Sequence, residues 1–109
     1  MKTFKEFIAE GVVVDLERSL LYRLVIKHHK LFSEKGYIHT TTQKGNKTIF
    51  AWRKGRHHFE IQHDSKMPYR YVWGHAEIRP DNGKLRFYNS GNASLRTKEE
   101  PKLHLFNKP

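Results

Sequence analysis

The run His57-His58-Phe59-Glu60-Ile61-Gln62-His63 holds three of the chain's eight histidines and a carboxylate, the densest set of side chains able to bind a metal or move a proton. Strand spacing decides which of them can act together, because alternate residues of a strand share a face. His57 and His63 share one face but stand about 20 Å apart at strand rise, too far for one ion. His58 and Glu60 share the other at about 7 Å and offer two ligands, with His75 the candidate for a third. A set of His58, Glu60 and His75 would suit a small metal-dependent nuclease. His-x-Glu also occurs in zinc deaminases, but that chemistry needs paired cysteines. The chain has none, so disulfides and thiolate zinc sites are excluded. The simpler reading makes these imidazoles partly exposed sheet residues that gain charge near phosphate or in mild acid. There is no nucleophile elbow, phosphate-cradling glycine loop or kinase signature. Asp64 beside His63 and Ser65 resembles a hydrolytic trio in one dimension only. No cofactor is expected, and a non-enzymatic protein is the leading reading.

The second group able to do chemistry is cationic. Against 11 Asp+Glu stand 21 Lys+Arg, a formal net charge of +10. Such an excess self-repels unless an anion is near, and nucleic acid is its usual partner. Lys44, Lys47, Arg53, Lys54 and Arg56 gather around two successive turns, and Arg70 and Arg86 lie on later strands. These seven are the expected phosphate contacts. Trp52, Tyr69, Tyr71 and Trp73 are candidates for stacking on unpaired bases, with Phe87 and Tyr88 close by in the sequence. Tyr69, Tyr71 and Trp73 share a face, so one aromatic set must instead form the core. No helix-turn-helix, ribonucleoprotein or zinc-finger motif is present. No apolar run approaches the roughly 20 residues of a membrane span, and no membrane partner is expected.

One helix and a run of strands must position these groups. Asp15 is an N-cap candidate, and Gly36 is placed to end a helix over 15–35. Leu16, Leu20, Leu24, Leu31 and Phe32 form an apolar stripe widened by Leu21 and Val25. His28 falls at its margin, as a core-edge residue hydrogen-bonded to the sheet. Beyond Gly36 the period changes to strands over 37–43, 47–53, 56–63, 69–79 and 84–89, separated by short turns. Gly74 marks a bulge or bend in the fourth. Short loops join antiparallel neighbours, so the expectation is an α+β fold with one amphipathic helix on a curled antiparallel meander of about five strands. Residues 11–90 are expected to form this domain and 91–109 a polar tail, in which Leu103, Leu105 and Phe106 could dock on the sheet.

Residues 1–10 read MKTFKEFIAE, with Phe4, Phe7 and Ile8 at helical spacing but too few residues for a stable helix. This decapeptide resembles the capsid-targeting propeptide of the internal head proteins of T-even-type tailed phages. Those precursors open on Met-Lys-Thr-aromatic and close on Ile/Leu-x-Glu, after which the prohead maturation protease cuts. Ile8-Ala9-Glu10 matches that triplet, which implies cleavage between Glu10 and Gly11. The lysines and glutamates of the segment cancel, so its removal leaves the net charge at +10. From Gly11 onward no relative is recognised.

The resemblance implies a life history. The protein would enter the prohead core, be trimmed, lie with packaged phage DNA inside the virion, and pass with it into the host cytoplasm. Members of this class protect incoming DNA, which implies inhibition of a host restriction or other defence protein. The alternatives are the metal-dependent nuclease and a plain nucleic-acid-binding module.

Overall fold

A Schellman turn closes the helix. The Tyr37 N–H donates to the Phe32 carbonyl at 3.0 Å and the Gly36 N–H to that of Ser33 at 3.0 Å. Gly36 takes a φ of +88°, which a residue with a Cβ resists. The Tyr37 and Phe32 rings meet edge-on at 5.0 Å and supply the apolar contact that accompanies such turns. The computed structural model describes residues 16–97 and 99–101, with side chains from residue 19 onward. The expected propeptide with its cleavage site Ile8, Glu10 and Gly11, the Asp15 cap, the Leu16 side chain and the tail residues Leu103, Leu105 and Phe106 lie outside the described residues.

The first helix, α1, spans Leu16–Glu34. It buries Leu21, Leu24, Val25, His28 and Phe32, which recur on one helical face. Leu20 and Leu31 are only half-buried, so the expected stripe is rotated to run through His28. A hydropathy pattern scores that residue as polar, yet burial leaves it no unmet donor. Its Nδ1–H donates to the Leu24 carbonyl at 2.8 Å, inside the helix and not to the sheet as expected, and its ring stacks on Phe59 at 5.8 Å.

The strands are β1 (Ile38–Lys44), β2 (Lys47–Lys54), β3 (His57–Asp64), β4 (Arg70–Ile78) and β5 (Leu85–Ser94). All neighbours are antiparallel and the order is β1-β2-β3-β4-β5, the expected meander on which one helix packs. Phe50, Trp52, Phe59, Ile61, Tyr71 and Trp73 meet α1 in a single core. Phe32 lies at its centre, stacked on Phe59 at 4.9 Å and Trp52 at 5.5 Å.

Two expectations are corrected in β5. The strand runs on to Ser94, and Ala93 and Leu95 are buried, so residues 91–95 belong to the domain and not to a polar tail. His75 faces Asn89 while Ala76 faces Phe87, which makes Tyr88 the extra residue of a bulge. The bulge therefore interrupts β5 beside His75/Ala76, one residue past Gly74 and on the partner strand.

Candidate nucleic-acid interface

Strand pairing sorts every candidate onto one of two sheet faces. Phe50, Trp52, Phe59, Ile61, Tyr71, Trp73 and His75 point toward α1. The alternate residues, among them Arg53, His58, Glu60, Gln62, Gly74 and Ala76, form the far face. Three of the four proposed stacking residues are thereby used by the core: Trp52, Tyr71 and Trp73 are buried in it and cannot take a base. The indole N–H of Trp52 also donates to His29 Nδ1 at 3.3 Å. Tyr69 is half-buried, and the Arg96 guanidinium already sits over its ring, 3.2 Å from the centroid. Among the described residues the exposed aromatics are Phe87 and Tyr88, 46% and 50% exposed. Nothing in the alternation of the sequence separates them from the buried rings, because the bulge resets the pairing at that point.

The metal set does not assemble. His58 and Glu60 do share the far face, and the His58 ring meets the Glu60 carboxylate at 2.9 Å between Nε2 and Oε1. His75 is on the helix side, tilted against Phe59 at 4.7 Å, so it cannot be their third ligand. Among the described residues no three His, Cys, Asp or Glu side chains converge.

What His58 and Glu60 form instead is a buried hydrogen-bonded chain. Arg53 Nη2 approaches His58 Nδ1 at 3.4 Å, and Gln62 donates to the second Glu60 oxygen. Arginine can only donate, so the arrangement fits a His58 ring carrying its hydrogen on Nε2 and passing it toward Glu60. Burial by itself would raise the Glu60 carboxyl. The hydrogen bonds from His58 and Gln62, with the charge of Lys44 adding to them, outweigh it and hold the group below its ordinary value.

The seven expected phosphate contacts fall at two ends of the sheet. Lys44, Lys47 and Arg70 lie at the end bearing the β1–β2 turn, and Arg53, Lys54, Arg56 and Arg86 at the opposite end. Along β2, Lys47 and Arg53 are about 20 Å apart by strand rise. Two of the seven serve the fold. Lys54 Nζ donates to the Lys35 carbonyl at 2.7 Å, tying the β2–β3 turn to the end of α1. Arg56 donates to the Ile78 carbonyl at 3.1 Å and pairs with Glu77 at 2.7 Å. Arg86 borders a hollow of about 260 Å³ with Arg56, Glu77 and Arg79. Lys44, Lys47, Arg53 and Arg70 are exposed, all belong to the far face, and make no ion pair among the described residues. Lys44 and Lys47 stand directly opposite each other across the first hairpin, and Lys47 faces Asp64 of β3 on its other side.

Three histidines on the helix side should make the fold acid-sensitive. His39 lies against Trp52, with ring centroids 4.9 Å apart, and beside His29. Burial first, and His29 second, bring its pKa from 6.5 down to about 4 despite a backbone hydrogen bond at Ala51. Burial is also the main cause that lowers His28 and His29. Between 6.5 and about 4 the unfolded chain holds protons that folded His39 does not. Stability is therefore whole above about 6.5 and declines as the pH falls toward 4. Glu60 adds a loss below its ordinary value of 4.5, since its folded pKa is depressed. Thermal midpoints should drop steadily through this window, and His39→Gln should remove part of the drop. A flat profile in the native sequence would contradict the assignment.

Fold and site together define a small, strongly basic α+β domain whose sheet carries its core on one face and exposed cations on the other. No protein-family model matches the chain, and no curated protein or solved structure matches it either. No helix among the described residues is long and apolar enough to cross a membrane.

Proposed function

We propose that this protein is an internal head protein of a T-even-type phage, which binds packaged DNA through charge and travels with it into the host. The observation that carries the binding reading is the far face of the sheet, where Lys44, Lys47, Arg53 and Arg70 are exposed and make no ion pair among the described residues. A chain with a net charge of +10 gains by placing such groups beside phosphates, because each contact releases a condensed counterion. The leader MKTFKEFIAE supports the place where that happens. Its resemblance to capsid-targeting propeptides implies entry into the prohead core and cleavage after Glu10, which would leave the basic domain in the virion interior. After ejection into the host cytoplasm, the same domain would bind and inhibit a host defence protein. Catalysis has no part in this reading.

Mass spectrometry of purified particles tests it. The expected result is a protein whose first residue is Gly11. An intact N-terminus, or no such protein in the head, would overturn the packaging reading.

A further inference from the structure

Phe87 is the large aromatic residue of the far face, and it is held in an unusual seat. A Cβ built on Gly74 would lie 2.7 and 2.8 Å from two carbons of the Phe87 ring, so the ring occupies space that any other residue at position 74 would fill. It rests over the sheet backbone with 46% of the residue exposed. Edge-on to it, at 6.4 Å, is the His58 ring. His58 is fixed in turn by Glu60 at 2.9 Å and approached by Arg53 at 3.4 Å. An open aromatic ring, set by its neighbours and lying on the same face as four cations, is the combination that binds unpaired bases: a π-face for stacking and charge for the backbone. Base pairs in a duplex are already stacked on each other and offer no such face.

We infer that the far face is a binding site for single-stranded nucleic acid, with Phe87 as the platform for one unpaired base and Arg53 beside it for the adjoining phosphate. The inference rests on the proposed nucleic-acid binding and adds a strand preference to it. Lys44, Lys47 and Arg70, at the other end of the face, extend the track for the backbone. Ser90 borders the platform directly opposite Gly74. Tyr88 does not contribute, because it stacks on His75 on the helix side.

Fluorescence anisotropy of the full chain with a labelled mixed-sequence 15-nucleotide strand, and with the same strand annealed to its complement, tests the site. Phe87→Leu keeps an apolar cover over Gly74 and His58 but has no π-face. The expected result is tighter binding of the single strand by the native protein. Phe87→Leu should lower that affinity on the order of tenfold and leave the duplex affinity unchanged. Tyr88→Leu, on the other face, should leave both unchanged. Equal affinity of the Phe87→Leu and native proteins for the single strand would overturn the platform, as would an equal loss in both leucine variants. If duplex and single strand both bind the native protein but Phe87→Leu changes nothing, the electrostatic reading survives and the platform fails. If neither binds, both fail.

Discussion

Replacing Lys44, Lys47, Arg53 and Arg70 together by alanine will flatten the salt dependence of DNA binding, removing roughly three to four from the slope of log affinity against log salt concentration. Each cation that meets a phosphate contributes close to one unit of that slope, through the counterion it displaces. These four are exposed, share one face and make no ion pair among the described residues. Their loss should weaken binding by about a hundredfold or more at low salt, with little regard to base sequence, since phosphate contacts carry no sequence information. Lys54→Ala and Arg56→Ala should change the slope much less, because both side chains are occupied by the carbonyls of Lys35 and Ile78. Folding should be little affected by the fourfold change, since all four side chains are exposed and make no ion pair among the described residues. Titrations at several salt concentrations measure the slope directly. An unchanged slope would place the DNA elsewhere on the molecule.

The largest loss of stability should follow Phe32→Ala, at about 3–5 kcal/mol. Phe32 is fully buried, and its ring meets Phe59, Tyr37, Trp52 and His28 at 4.9, 5.0, 5.5 and 6.4 Å between centroids. It is the point where the helix, the Schellman turn and two strands come together, so truncation leaves a cavity that no single neighbour can fill. Domains of this size have only about 5–15 kcal/mol in total, and the thermal midpoint should fall by roughly 15 °C or more. Phe87→Ala, by contrast, removes a half-exposed ring and should cost about 1 kcal/mol or less. Urea denaturation of the two variants separates them. A loss under about 1 kcal/mol at Phe32 would mean that the core is not organised around that ring.

The elements were largely legible in the sequence, because their signals are local. Gly36 followed by Tyr37 closes a helix through bonds that span six residues, and the turns between strands are equally short-range. The antiparallel meander follows once the connections are too short to do anything else. The centre of the helix stripe was displaced because His28 meets its hydrogen-bonding need inside its own helix and so behaves as a core residue. The end of β5 was hidden because Asn89-Ser90-Gly91-Asn92 is polar and small. It is held as a strand by pairing with β4 and by the docking of Ala93 and Leu95, neither of which shows in composition.

The candidate site divides along the same line. Alternation alone placed His58 and Glu60 on one face, because side-chain direction in a strand is a property of the backbone. It could not choose which face the helix would cover. Packing made that choice, turning Trp52, Tyr71 and Trp73 inward and leaving Phe87 outward. The same choice put His75 across the sheet from the His58–Glu60 pair. Charge, absence of cysteine, the leader's resemblance and the order of elements are properties of the chain itself, since they depend on what residues are present and on neighbours a few positions away. Which rings stack on each other, which cations stay exposed, and where a ligand could rest depend on contacts between distant segments, and only the folded arrangement creates those.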